Sequence, residues 1–234
     1  MKNRSAENEK LDNLSLQGAT LHGALQSLEW INRWFGNHQS VVKSINRICR
    51  KEKKTVSVID LGCGGGDLIA AVAKAFQDKQ IPFSILGIDG NSHTLQYAKQ
   101  KCRRYKGIHF LQADILNDKF NLPPCDILIS SHFMYHFTED GLIRFLGQHL
   151  PNTSTAVIFS ELERHPFAMF LFKFFSFVLP ISKLAKADGL LAIQRSFTKK
   201  EWLIILQKAG VKKFSLRRVP FFRIQLIIFP DQNK

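Results

Sequence analysis

Hydrophobic residues follow two different spacings along the chain, and the change of spacing predicts its architecture. Between residues 21 and 48 they recur at helical intervals, interrupted at Gly36, which predicts two helices. Beyond Val56, short apolar runs alternate with amphipathic stretches, a pattern that indicates parallel βαβ units. The predicted strands are residues 56–61, 83–89, 108–113, 126–130 and 155–160, and the predicted helices are 68–76, 92–102 and 139–150. Ser92 is the predicted N-cap of its helix.

The two ends of the chain show other patterns. Residues 199–209 have helical spacing, and residues 211–218 and 222–229 then form two predicted strands joined at Pro220. Such a pair indicates an antiparallel ribbon at one end of the sheet. The first 20 residues are polar and carry both signs of charge, so we expect them to form a frayed terminus.

Length and composition limit the possible classes of protein. The 234 residues are 45% hydrophobic and 22% charged, which is typical of a globular domain. We divide them into an N-terminal helical cap, residues 1–54, and a main domain, residues 55–234. No apolar run reaches the ~18 residues of a membrane span, and residues 1–10 lack the apolar segment of a secretory signal. The four cysteines form no closely spaced pair, so we expect a reduced cytoplasmic setting without a metal site.

The most informative motif is a glycine-rich loop between the first predicted strand and its helix. Asp60, Gly62, Gly64 and Gly66 fit the spacing D-x-G-x-G-x-G. Glycines here permit a tight turn and close approach of a ligand to the backbone, and a helix N-terminus adds free N–H groups. The third glycine of the dinucleotide fingerprint is replaced by Asp67, and carboxylates beside a pyrophosphate would repel it. A cationic nucleoside without phosphates, such as S-adenosylmethionine, avoids that repulsion.

Two further acids follow predicted strands in the order that such a cofactor needs. Asp89 ends the second strand about 20 residues past the loop, where a carboxylate can accept hydrogen bonds from both ribose hydroxyls. Asp114 follows the third strand, where its side chain could hold an adenine amino group while Ile115 packs on the ring. Each acid alone would be read as a helix cap, but the three elements in order favour a cofactor site.

These motifs resemble the Rossmann-like S-adenosylmethionine-dependent methyltransferases over roughly residues 56–229. The resemblance implies an α/β fold with a doubly wound, seven-stranded, mostly parallel sheet whose last strand is antiparallel. It also implies S-adenosyl-L-methionine as cofactor, S-adenosyl-L-homocysteine as product, and a lid made by the N-terminal helices. More narrowly, the chain is similar to small-molecule methyltransferases of the ubiquinone and menaquinone type. Residues 32–36 and 195–198 are similar to bacterial enzymes of polyketide or isoprenoid pathways.

The remaining predicted contacts lie near the same strand ends. We count Gly90, Ser130 and Arg33 among the predicted cofactor-binding residues, with Arg33 reaching the cofactor carboxylate. Arg195 is a possible partner of an anionic group on the substrate, with a surface salt bridge as the alternative.

Three side chains are predicted bases for a hydroxyl or activated-carbon acceptor. The fourth strand runs into Ser130-Ser131-His132-Phe133-Met134-Tyr135-His136, and ligands in this fold class bind beyond the strand ends. His132 and His136 have the ordinary pKa of a base that works near neutrality, and Glu161 ends the fifth strand. The alternative for each is a structural role. The loop lacks the Asn/Asp-Pro-Pro-Tyr/Phe motif of enzymes that methylate adenine or cytosine amino groups, which argues against nucleic acid.

A phenylalanine-rich run, residues 167–180, lies within a predicted substrate-side insertion at about 163–196. It is apolar around almost its whole circumference, so it must be covered by protein, by an apolar substrate or by a membrane surface. We therefore expect a hydrophobic phenolic, quinone-like or polyketide-like acceptor, with O-methylation ahead of C-methylation. The net charge of +14 keeps an RNA or protein methyltransferase as an alternative. A non-catalytic S-adenosylmethionine-binding protein is another alternative, because a fold alone does not fix a function. Peripheral contact with a membrane is a further possibility.

Overall fold

The computed structural model describes residues 1, 3–50 and 52–231. Its strands are β1 (Val56–Leu61), β2 (Phe83–Asp89), β3 (Ile108–Gln112), β4 (Cys125–Ser131), β5 (Thr153–Leu162), β6 (Phe214–Val219) and β7 (Arg223–Ile228). Its α-helices are α1 (Gly18–Trp34), α2 (Asn37–Ile48), α3 (Asp67–Asp78), α4 (Ser92–Cys102), α5 (Glu139–His149), α6 (Pro166–Val178), α7 (Lys183–Arg195) and α8 (Lys199–Lys208).

The seven strands form one sheet in the order β3-β2-β1-β4-β5-β7-β6. Strands β1 to β5 pair in parallel, β7 is antiparallel to β5, and β6 is antiparallel to β7. This arrangement confirms the predicted doubly wound sheet and its antiparallel ribbon. The strand order reverses direction between β1 and β4, so their carboxyl ends open a crevice at this point.

Alternation along the strands gives each face of the sheet its own core. Leu61 and Phe159 point to the face covered by α5 and α8, where Trp202 is fully buried. Val58 and Ile158 point to the opposite face, which is covered by α2, α3 and α4. Because both faces are buried, the central strands are nearly continuous apolar runs, as their sequence indicated.

The two N-terminal helices contact each other and pack against different parts of the fold. Helix α2 packs against α3 and β5 and buries Val41 and Ile45 in the sheet core. Helix α1 also packs against α7, which in turn contacts α6. These three helices, α1, α6 and α7, cover the crevice at the strand ends, so the covering layer combines the start of the chain with the phenylalanine-rich insertion.

The expectation of a frayed N-terminus was wrong. The guanidinium of Arg4 donates to the carbonyls of Tyr135 (2.5 Å) and Arg195 (2.5 Å) and lies 3.8 Å from the centre of the Phe197 ring. The backbone amides of Lys10 and Leu11 donate to the two carboxylate oxygens of the buried Asp188 (3.1 and 2.9 Å). These contacts join residues that are more than 100 positions apart, which local patterns cannot reveal.

One helix start also differs from its prediction. The N-cap of α4 is Asn91 rather than Ser92, because the Asn91 side-chain oxygen accepts hydrogen bonds from the amides of His93 and Thr94. Asn91 also donates to the carbonyl of Leu16 (3.0 Å), so the cap ties the N-terminal segment to the end of β2.

The substitution Asp188→Asn tests how the N-terminal segment is held. Asparagine keeps only one of the two oxygens that accept the backbone N–H groups, so one of these hydrogen bonds is lost. Hydrogen bonds to a charged acceptor contribute about 1.5–3 kcal/mol each to stability. We expect hydrogen exchange of residues 3–17 to become at least about tenfold faster, with the sheet amides unchanged. The control Asp118→Asn removes a carboxylate that is exposed, and it should leave exchange unaltered. Unchanged exchange in Asp188→Asn would show that other contacts hold the segment.

Candidate functional site

The glycine loop turns sharply where β1 ends and α3 begins. Gly62, Gly64 and Gly66 all have positive φ angles, of 64°, 50° and 78°. A Cβ at Gly62 would lie 2.3 Å from the Phe133 ring, so that position also requires the absence of a side chain. A Cβ at Gly64 would meet nothing within 4 Å. The loop backbone at Gly64 therefore borders open space, which a ligand can approach closely.

Asp89 fixes this loop to the end of β2. One carboxylate oxygen accepts from the amide of Gly64 (2.9 Å) and the other from the amide of Asn91 (3.0 Å). Burial raises the pKa of Asp89, although these two amide hydrogen bonds act to lower it. Each oxygen keeps a second lone pair, so the carboxylate can still accept hydrogen bonds from hydroxyl groups.

Asp60 is a buried carboxyl group at the end of β1 with two other carboxylates nearby. Its side chain is 2% exposed, and its Oδ2 atom has no hydrogen-bond partner among the described residues. Burial, followed by the charges of Asp89 and Asp67, raises the pKa of Asp60 well above its usual range. Asp67, by contrast, forms an ion pair with Lys101. The arrangement around Asp60 therefore favours a ligand that brings a positive charge.

A large cavity extends from this loop into the covering helices and holds about 1410 Å³ of empty space, including its mouth. At one end it is lined by Asp60, Gly62, Gly64 and Gly65. At the other end its walls are apolar side chains of α1, α6, α7 and the β6–β7 turn: Leu28, Ile31, Leu171, Phe172, Ile193 and Phe221. The cavity thus joins a charged glycine loop to a hydrophobic chamber.

A small set of polar groups also lines the cavity. Burial, helped by the nearby Asp12, raises the pKa of Glu9 to about 8, although Arg195 opposes this. The Tyr135 hydroxyl donates to Glu9 Oε2 (3.3 Å), while Glu9 Oε1 lies 3.7 Å from the Arg195 guanidinium. Burial, with the positive charge of Arg223, lowers the pKa of His38 to about 4. Sequence reasoning missed Glu9 and His38.

Of the three predicted bases, His132 alone lines the cavity. It has a φ of +56°, and burial together with Arg223 and His38 lowers its pKa well below the ordinary value. Its imidazole is therefore neutral at neutral pH and is poorly suited to holding a proton.

The other two predicted bases lie behind the cavity wall. The Nδ1 atom of His136 is 3.2 Å from a carboxylate oxygen of Asp12. Glu161 Oε1 accepts from the amides of Phe133 (3.2 Å) and Met134 (3.3 Å), and burial raises its pKa to about 8. Both side chains position the loop after β4.

Several predicted cofactor contacts are likewise placed outside the cavity lining. Arg33 is exposed, Ile115 is buried in the sheet core, and the Ser130 hydroxyl donates to the Leu61 carbonyl (2.9 Å). Asp114 is exposed and caps its own turn by accepting from the Leu116 amide (3.0 Å). A Cβ at Gly90 would lie 2.8 Å from the Leu14 side chain, because the N-terminal segment covers this position.

Arg195 also differs from its expected role. It is buried, and its guanidinium lies 2.7 Å from Asp12 Oδ2, so its charge is used within the protein and not at the surface. The hydrogen bonds from His136 and Arg195 outweigh the effect of burial and lower the pKa of Asp12 to about 2.

Comparisons with known proteins agree with this geometry. Residues 52–214 match the family model described as a methyltransferase domain. No curated protein sequence matches the chain.

Similar solved structures share the fold at low sequence identity. An O-methyltransferase family 2 protein from Planctomyces limnophilus, in complex with apigenin, has a TM-score of 0.63 and 11% identity over 92% of this chain and 63% of that one. Magnesium protoporphyrin IX methyltransferase from Synechocystis has a TM-score of 0.56 and 15% identity over 92% and 90%. The CMeT domain of the citrinin polyketide synthase has a TM-score of 0.62 and 10% identity over 82% and 52%. The chain therefore spans between about half and two thirds of some of these relatives.

The family match covers more than half of the chain, and the sheet order, the glycine loop and the uncompensated Asp60 carboxylate agree with it. The chain belongs to the methyltransferase-domain family and has its Rossmann-like fold.

Proposed function

We propose that this protein transfers a methyl group from S-adenosylmethionine to a hydrophobic small molecule, with an oxygen atom as the acceptor ahead of carbon. The observation that carries this proposal is the single cavity that joins the glycine loop to an apolar chamber. A nucleoside cofactor at the loop and a ring-bearing acceptor in the chamber would lie next to each other along this cavity. The Planctomyces relative is in complex with apigenin, and the Synechocystis relative is named for magnesium protoporphyrin IX; both compounds bear rings.

The residues at the loop fit the cofactor. Asp60 would face its cationic end, the backbone at Gly64 would lie against it, and Asp89 would accept hydrogen bonds from the ribose hydroxyls. When bound, S-adenosylmethionine supplies a methyl group that is already activated by its positively charged sulfur. The protein therefore has to orient the acceptor and manage one proton.

Glu9 is the proton acceptor that the geometry supports best. It lines the cavity, its Oε1 atom accepts no hydrogen bond from the described residues, and its pKa of about 8 suits a base that works slightly above neutrality. Asp188 also lines the cavity, but its two oxygens accept the amides of Lys10 and Leu11. With S-adenosylmethionine bound to supply the methyl group, Glu9 would take the proton of the acceptor hydroxyl.

The N-terminal segment supplies the enclosure for this step. Glu9 and Leu11 lie in it and line the cavity, and Arg4 fastens it to the loop after β4. Enclosure excludes water, which would compete as an acceptor and would weaken the charge interactions of the site. Glu9 and the glycine loop line the same cavity, which supports a base from the N-terminal segment acting beside the cofactor.

The substitution Asp60→Asn tests the cofactor site without any acceptor. Burial and two neighbouring carboxylates already disfavour the charge of Asp60, so its removal should leave the unfolding temperature unchanged or raise it. The same change should weaken S-adenosylmethionine binding by about tenfold or more, because the cationic ligand loses its partner. Equilibrium dialysis with labelled cofactor measures the affinity, and Asp78→Asn at the exposed end of α3 is the control. Full affinity in Asp60→Asn would remove this residue from the site.

The pH dependence of turnover tests Glu9. A base must be ionised to act, so the wild-type rate should rise with pH and level off above about 8. In Glu9→Gln the rate should fall by roughly 10²–10⁴-fold and the step near pH 8 should disappear. Transfer of tritiated methyl groups to a panel of hydrophobic phenols that includes apigenin provides the measurement.

Glu161 provides the matched comparison, because burial raises its pKa to the same region although it lies outside the cavity lining. If Glu161→Gln removes the step and Glu9→Gln keeps it, Glu161 is the base and the assignment of Glu9 is wrong.

A further inference from the structure

Helix α6 has two apolar faces, and only one of them lines the cavity. Ala168, Leu171, Phe172 and Phe175 line the cavity. Phe167, Phe170, Phe174 and Phe177 lie on another side and are 52%, 62%, 59% and 89% exposed. At 3.6 residues per turn these four positions fall within an arc of about 80°. They form a stripe of exposed rings, which a helix in a globular protein rarely leaves uncovered.

The stripe continues onto the neighbouring elements through ring contacts. The ring centres of Phe174 and Phe175 are 5.7 Å apart. The ring centre of Phe35, which follows α1, lies 5.8 Å from that of Phe175 and 5.2 Å from that of Phe221. Phe221, in the β6–β7 turn, is 55% exposed. We refer to Phe167, Phe170, Phe174, Phe177 and Phe221 as the aromatic face.

The aromatic face meets the mouth of the cavity. Phe175 and Phe221 are both partly exposed, and both line the cavity. Whatever covers the exposed rings is therefore next to the apolar chamber.

The charge around this surface has one sign. The segments that carry it, residues 30–35, 166–187 and 219–223, contain no Asp or Glu. They contain five basic residues, of which Arg33, Lys173 and Lys183 are exposed. Lys173 lies on α6 beside the stripe. Aromatic rings flanked by basic side chains, with no acids, match the interface of an anionic bilayer.

We propose that the aromatic face docks the protein on an anionic membrane surface, with α6 lying in the plane of the interface. With 13 residues, α6 is about 20 Å long, less than the ~30 Å hydrocarbon thickness of a bilayer. No helix in the described part of the chain is long and apolar enough to cross a membrane. A second copy of the chain is a poorer occupant, because a two-fold interface would bring the same basic residues together.

Docking in this orientation places the cavity mouth against the bilayer. This part of the proposal rests on the proposed function and specifies its acceptor. The acceptor is a lipid-soluble molecule that reaches the apolar chamber from the membrane. The rings that line both cavity and surface, Phe175 and Phe221, then form a continuous apolar path for it.

Vesicle flotation of the full chain tests the docking surface. We expect the wild type to float with vesicles of phosphatidylcholine and phosphatidylglycerol, and much less with phosphatidylcholine alone. The double variant Phe170→Ser/Phe177→Ser changes only the exposed stripe and should reduce the bound fraction at least about tenfold. The control Leu203→Ser/Ile204→Ser removes two exposed apolar side chains on α8, outside the aromatic face, and should bind like the wild type.

Three outcomes would overturn the docking proposal. The first is a wild type that does not float with anionic vesicles, and the second is a stripe variant that floats as well as the wild type. The third is a control variant that loses as much vesicle binding as the stripe variant. A dimer in sedimentation velocity that the stripe variant abolishes, without vesicle binding, would assign the face to a second copy. Cofactor affinity measured on the same samples separates the two proposals: vesicle binding without cofactor binding would leave the surface standing and contradict the proposed function.

Discussion

The functional site is built around a buried carboxylate that has no cationic partner among the described residues. Asp60, Asp67 and Asp89 converge on the glycine loop, where Lys101 pairs with Asp67 and two backbone amides bind Asp89. Asp60 remains buried with one oxygen unpartnered among the described residues. Such an arrangement costs stability in the unliganded protein, and that cost is offset when a cationic ligand binds. Under the proposed function, this carboxylate favours S-adenosylmethionine over a phosphate-bearing nucleotide.

Closure of the site depends on the start of the chain. The N-terminal segment covers Gly90 with Leu14, contributes Glu9 to the cavity and is fastened by Arg4 and Asp188. Its hydrogen bonds are mostly between side chains and backbone, so the segment has little regular structure of its own. Side-chain contacts with distant parts of the chain hold it in place.

The sheet could be predicted from sequence, because each strand carries its own local pattern. The bounds of β1, β2 and α4 agree with their predictions, and the glycine loop was found from its spacing. The site was only partly predictable, because its contents depend on distant contacts. Glu9 reaches Tyr135 across 126 positions, and no local signal marks it. Arg33 and Ile115 were assigned from their neighbours in sequence, yet one points to solvent and the other into the core. The phenylalanine-rich helix was apolar on every side, and only the structure separates its cavity face from its exposed face.

Calorimetric titration with three related ligands tests the central claim most directly. S-adenosylmethionine, S-adenosylhomocysteine and 5′-methylthioadenosine share the nucleoside, but the last lacks the amino-acid group and every positive charge at neutral pH. If Asp60 requires a cation, the first two ligands should bind with micromolar affinity and methylthioadenosine at least about tenfold more weakly. Equal affinity for all three would contradict the role of the buried carboxylate, and no binding to a folded sample would contradict the cofactor site itself.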